Sequence, residues 1–200
     1  MKKFLLCFVV FSFVQALANE NFEKFYKDKQ SLSSEVYSDI LKDRVVADAT
    51  VRDNDKEDWQ DLDTFVTGLH TKSCERSLRK ISLYEKYKDF IDYVSESSYH
   101  EKTEQVHLAL EHSLLPVKMV LEFKLPRLRG PGVYPFIFDN GFFKGLKGNI
   151  YIENYQDRCL YLIKAYWKGK STKFPNIVIE AFTKTLLQVG MEKIFRVSQF

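Results

Sequence analysis

The residues to weigh first for chemistry are four histidines, His70, His100, His107 and His112, and the cysteines Cys7, Cys74 and Cys159. The histidines lack the spacing of a zinc set. His107 and His112 are five apart, so a strand would point them to opposite faces. No H-E-x-x-H, G-x-S-x-G, phosphate-binding P-loop or C-x-x-C pattern occurs. No residue is singled out as catalytic, and no metal or cofactor is expected. Two side chains could do acid–base work if they met on one bound atom: His112, on the drier side of its run, and Tyr161, within an apolar run. Each could instead orient a ligand's polar end. The plainer alternatives are a satisfied core histidine and a tyrosine whose hydroxyl reaches a rim.

Cys7 lies in a leader-like stretch. Lys2 and Lys3 precede an apolar run from Phe4 to Val14, too short to span a bilayer, and Ala16-Leu17-Ala18 has the small-residue form of a cleavage site. Residues 1–18 therefore read as a secretory signal, with the mature chain beginning at Asn19 and a periplasmic or secreted address. In an oxidising compartment Cys74 and Cys159 could form a disulfide. Two buried free thiols are the alternative.

Lys2 and Lys3 carry two of the three net positive charges of the 200-residue chain. The remainder is close to neutral and gives no reason to expect nucleic acid or general membrane attraction as a partner. Aromatic residues make up 15% of the chain, which suits either a large core or a lined cavity.

Several elements must position these groups. Residues 19–60 read as a helical N-terminal extension and a loop. Phe22, Phe25, Tyr26, Leu32, Val36, Ile40 and Leu41 approximate a stripe, which Ser31–Ser34 could break in two. This extension packs on the domain or binds a partner. Arg44–Val51 is a short strand candidate. Arg52–Asp61 is a charged loop without the spacing of a calcium loop. Residues 61–200 form the domain proper. A strand at Asp63–Thr71 is followed by a helix capped by Ser73 and a second short helix within Ser82–Ile91. Strands follow at Tyr93–Lys102, Gln105–His112, Val117–Leu125, Asn149–Tyr155 and Cys159–Trp167, where apolar residues alternate with polar ones. Asp139-Asn140-Gly141 reads as a tight hairpin turn. Phe174–Val197 closes the chain as an amphipathic helix with Pro175 in its first turn. Its apolar stripe is Val178, Ala181, Phe182, Leu186 and Val189, widened by Ile177, Leu187, Met191, Ile194 and Phe195. Glu180, Lys184, Gln188, Glu192 and Arg196 mark the wet side. The class is α+β, with helices on one face of a bent antiparallel sheet.

The segments SCERSLRKISLYEKYKDFIDYVSES, PVKMVLEFKLPR, YPFIFDNGFFKGLKGNIYIENY and RCLYLIKAYWKGKSTKFPNIVIEAFTKTLL carry this order of elements. Over Asp61–Phe200 the pattern resembles the START-like, or SRPBCC, helix-grip superfamily. The resemblance implies a curved antiparallel sheet wrapped around the long C-terminal helix, with a deep apolar cavity between them. Many members bind lipids, sterols or polyketides, and some are cyclases or hydrolases. The signal and the N-terminal extension depart from the common cytoplasmic form.

A non-catalytic, exported binder of a hydrophobic small molecule or lipid is the function expected. Met119, Leu121, Phe123, Tyr161, Ile163 and Trp167 would line the cavity from the sheet. Val178, Phe182 and Leu186 would do so from the helix, with His112 among them. Arg127 and Arg129, in LPRLRGPG, could meet an anionic headgroup at its mouth, or be solvated. The alternatives are an enzyme acting on a hydrophobic substrate in the same cavity, and a structural or interaction protein whose cavity is filled by its own side chains.

Overall fold

The computed structural model of the protein describes residues 33–54, 58–111, 118–141, 143–171 and 174–199. The leader, most of the N-terminal extension and His112 lie outside the described residues.

The elements run α1 (Ser34–Leu41), β1 (Val46–Asn54), β2 (Trp59–His70), α2 (Cys74–Ile81), a 3-10 turn (Tyr84–Lys86), α3 (Tyr87–Phe90), β3 (Val94–His100), β4 (Gln105–Leu110), β5 (Met119–Lys124), β6 (Gly132–Gly141), β7 (Lys147–Tyr155), β8 (Arg158–Lys170) and α4 (Asn176–Val197). All strands join one antiparallel sheet in the order β1-β2-β8-β7-β6-β5-β4-β3. The sheet thus begins at Val46, ahead of Asp61, because the charged Arg52–Asp61 stretch is mostly strand: Asn54 pairs with Trp59.

Alternation assigns the faces. On β8, Tyr161 and Ile163 face the main core, while Leu160 and Leu162 form the opposite face with Leu69 and Ile40. Helix α1 covers that opposite face; Ile40 is fully buried there. Ser33 caps α1, its side chain accepting from Val36 N at 3.3 Å. The described part of the extension therefore packs on the sheet.

Helix α4 lies against the β1–β2 hairpin. Ile179 packs on Ala49, Val51 and Leu62. Glu180 is not a wet-side residue, since its Oε1 accepts from Val51 N at 2.7 Å and satisfies the edge strand. Asn176 accepts from Gln60 Nε2 at 2.8 Å and donates to Asp53 at 2.7 Å. Pro175 is the residue before the helix rather than its first turn.

Asp139–Gly141 is not a tight turn. It continues β6, with Asn140 opposite Glu122 and Gly141 opposite Leu121, and the turn falls after it. The β7–β8 hairpin turns at Gln156 and Asp157, between Tyr155 and Arg158. At Gly148 the two strands come so close that an added Cβ would lie 1.9 Å from the Lys164 carbonyl oxygen. No side chain fits there, and the sheet can bend tightly.

Cys74, at the start of α2, and Cys159, at the start of β8, are joined by a disulfide. Both residues are buried. The bond ties the helical connection after β2 to the strand that β2 pairs with.

Candidate functional site

The sheet curves away from α4 beyond the β1–β2 hairpin, and the space left there is an apolar cavity of about 300 Å³. Leu121, Phe123 and Leu125 reach it from β5 and its end. Tyr161, Ile163 and Ala165 reach it from β8, and Leu108 and Leu110 from β4. Leu186, Leu187, Met191 and Ile194 close it from α4, and Ile81, Tyr84, Tyr87 and Ile91 close one end. Strand alternation on β4, β5 and β8 delivers these side chains to one concave face.

Of the residues expected at a ligand cavity, Leu121, Phe123, Tyr161, Ile163 and Leu186 lie in its wall. Four others, Met119, Trp167, Phe182 and Val178, lie outside that wall. Met119, the first residue of β5, is buried in the core and is not part of the cavity wall. Trp167 leaves the cavity as β8 runs on; it packs on Ala49, Val51 and Leu62 and donates Nε1–H to Lys144 O at 3.0 Å. Phe182 packs against the core but is not part of the cavity wall. Val178 is 49% exposed, because α4 turns Ile179 and Thr183 towards the sheet instead. Ala181 and Val189 are also exposed.

The polar groups of the wall are few. The Tyr161 hydroxyl lies 2.6 Å from Ser77 Oγ, and Ser77 is fully buried. Burial pushes the Tyr161 pKa up, so the phenol keeps its proton. Tyr84 donates to Pro126 O at 3.0 Å and Tyr87 to Ile81 O at 2.6 Å; burial raises both pKa values. Thr183 Oγ1, on the inner side of α4, is buried without a hydrogen-bond partner among the described residues.

Residues outside the expected set hold the site together. His70 is buried at the end of β2. Its Nδ1 accepts from Lys72 N at 2.9 Å, which places the ring proton on Nε2, 2.9 Å from Ser198 Oγ. Ser198 in turn donates to Ile194 O at 2.7 Å. The last turn of α4 is thereby fastened to β2. Desolvation holds the imidazole pKa below its usual value, and the charges of Arg158 and Lys72 add to the effect. No spacing in the sequence marks this histidine.

Arg127 is neither solvated nor free for a headgroup. Its guanidinium lies 4.5 Å from the Tyr99 ring centroid. It donates to Ser82 O at 2.7 Å and pairs with Glu85 at 3.3 Å and Glu101 at 3.1 Å. It thus staples the β5–β6 connection to the 3-10 turn. Arg129 remains exposed, 3.8 Å from Glu101.

A larger and shallower groove, about 900 Å³, is bordered by Asp48, Asp63, Lys147, Lys164 and Tyr166. Those side chains belong to the opposite face of the sheet. Their charges and openness to water make it a poor place for an apolar ligand, whereas the inner cavity is lined mainly by apolar side chains. Among the described residues no cluster of His, Cys, Asp or Glu could hold a metal ion. No described helix is long and apolar enough to cross a membrane.

The sequence matches no family model and no curated protein. Solved structures are similar at low identity. A START superfamily protein from Mycobacterium smegmatis aligns with a TM-score of 0.53 and 14% identity, over 68% of this chain and 97% of its own. The Zhui aromatase/cyclase from Streptomyces sp. R1128 aligns with a TM-score of 0.54 and 7% identity, over 69% of this chain and 91% of its own. A conserved protein from Geobacillus kaustophilus aligns with a TM-score of 0.54 and 14% identity, over 68% and 94%. The eight-stranded antiparallel sheet, the long closing helix and the apolar space between them give this chain the START-like, helix-grip fold.

Proposed function

We propose that the protein is exported and binds one small hydrophobic molecule in the 300 Å³ cavity without transforming it. The observation that carries this reading is the cavity wall itself. It is built from aliphatic and aromatic side chains of β4, β5, β8 and α4, and its tyrosine hydroxyls at 84, 87 and 161 are already bonded to protein atoms. Such a wall rewards removal of apolar surface from water at about 25 cal/mol per Å². A volume near the lower end of small-molecule sites favours a single chain or a small ring system over a two-chain lipid. The open volume weighs against a core filled by its own side chains. The leader pattern of residues 1–18 and the Cys74–Cys159 bond both support an oxidising, extracytoplasmic address.

The test is native mass spectrometry of protein exported and purified without detergent, followed by solvent extraction. A discrete added mass is expected, absent from an Ile163→Trp variant in which the indole fills the cavity. A bare mass that persists after incubation with mixed envelope lipids would sink the reading. A mature N-terminus at Asn19 is expected from the same spectrum.

A further inference from the structure

We propose that the ligand is a single-chain carboxylic acid whose carboxylate is held by Tyr93 and Lys193 at the seam between α4 and the start of β3. This inference rests on the cavity being a ligand site.

Tyr93 is half-buried and its ring lines the cavity. Unlike Tyr84, Tyr87 and Tyr161, its hydroxyl has no hydrogen-bond partner among the described residues. That hydroxyl meets α4 at Gly190, where an added Cβ would lie 3.7 Å from it. The glycine interrupts a helix otherwise rich in large side chains, and it lets the phenol approach the helix backbone with no side chain between them.

One helical turn further on stands Lys193, on the same side of α4 as Gly190. Its Nζ lies 2.6 Å from Asp92 Oδ2. The two partners are unequally placed: the Lys193 side chain is 23% exposed and that of Asp92 is 82% exposed. A solvated aspartate holds an ammonium weakly, so another carboxylate can take its place. Lys80, from α2, has its Nζ 5.8 Å from the Phe90 ring centroid and 3.4 Å from Val197 O, one helical turn beyond Lys193 on α4. The seam therefore offers a phenol donor and one ammonium held by a solvated acid.

An ionised carboxylate could not lie deeper in the cavity, where burial without partners is prohibitive. An amphiphile with its chain among Leu121, Phe123 and Ile163 would bring its head to the Tyr93 hydroxyl at the wall, with Lys193 beyond it on the same side of α4, paired to the adjacent Asp92. Hydrogen bonds from a neutral donor and a cation to a carboxylate are the strong kind.

The experiment titrates decanoate and 1-decanol into the full mature protein at mildly alkaline pH by calorimetry. Wild type is expected to bind decanoate about tenfold more tightly than 1-decanol, the scale of one hydrogen bond to a charged group. Tyr93→Phe and Lys193→Gln should each weaken decanoate binding about tenfold and leave 1-decanol unchanged. Asp92→Asn, at an exposed position that should not disturb folding, removes the competing acid and should tighten decanoate binding about threefold. Equal binding of the two probes, or an Asp92→Asn variant that binds decanoate no better, would overturn the carboxylate site and leave the cavity as a binder of neutral hydrophobes. Failure of both probes to bind would instead count against the proposed function itself.

Discussion

The Tyr161 hydroxyl and Ser77 Oγ lie 2.6 Å apart, directly beside the Cys74–Cys159 bond in both chain segments. Ser77 has carbonyl partners of its own at Ser73 and Cys74. Its hydroxyl proton can go to one of these while it accepts from the phenol. Tyr161→Phe is therefore expected to cost about 1 kcal/mol in urea unfolding. It should leave binding of an apolar probe unchanged, because the hydroxyl faces Ser77. A variant that folds normally but loses ligand would show that the phenol serves the ligand instead.

His70 sets a pH dependence. Its pKa is lowered in the folded protein by burial, whereas the unfolded imidazole titrates at about 6.5. Between those two values the unfolded chain binds the extra proton, so stability rises with pH through that window. The contribution is complete above the unfolded value and is lost as pH falls towards the folded one. Protonation would set an Nδ1–H against the Lys72 N–H that now donates to it. Unfolding free energies measured from about pH 8 down to pH 5 should fall, and His70→Gln should flatten that slope. An unchanged slope in the variant would assign the dependence to other groups.

Thr183 should be improvable. Its hydroxyl is buried and unpartnered among the described residues, and valine has the same shape without the polar atom. Thr183→Val is expected to raise stability by about 1 kcal/mol, since removing an unsatisfied polar group removes its desolvation penalty. A loss of stability on thermal unfolding would mean that the hydroxyl has found a partner.

The disulfide spans 85 residues of sequence. The chain-entropy account gives such a loop about 4 to 5 kcal/mol of stabilisation. A Cys74→Ala, Cys159→Ala double variant should lose about that amount in denaturant unfolding and should still fold at low temperature. Unchanged stability would mean that the oxidised and reduced unfolded chains are equally restricted.

The sheet was largely legible because several of its strands alternate apolar with polar residues. Leu121 and Phe123 on β5, and Tyr161 and Ile163 on β8, follow from alternation alone. The facing of α4 was not legible. Large apolar residues occur almost all round this helix, and its inner side includes Thr183 and Gly190. Periodicity therefore favoured Val178 and Phe182, while contact with the β1–β2 hairpin decided for Ile179 and Thr183. Arg52–Asp61 looked like a loop because two edge-proximal strands carry charges on their wet faces, as Arg52 and Asp63 do in their 2.9 Å pair. His70 and Arg127 owe their roles to partners far along the chain, Ser198 in one case and Tyr99, Glu85 and Glu101 in the other. No local pattern encodes such meetings.

The place of β2 beside β8 has a consequence for timing. From β3 to β8 each strand pairs with its neighbour in sequence, so that meander can zip up locally. The β1–β2 hairpin joins only after Arg158–Lys170 has been synthesised, since Leu69 must find Leu160. Cys74 and Cys159 sit on that same late seam. The rate at which the two thiols disappear on refolding is thus a clock for the moment when the hairpin docks and the groove beneath the closing helix becomes a chamber.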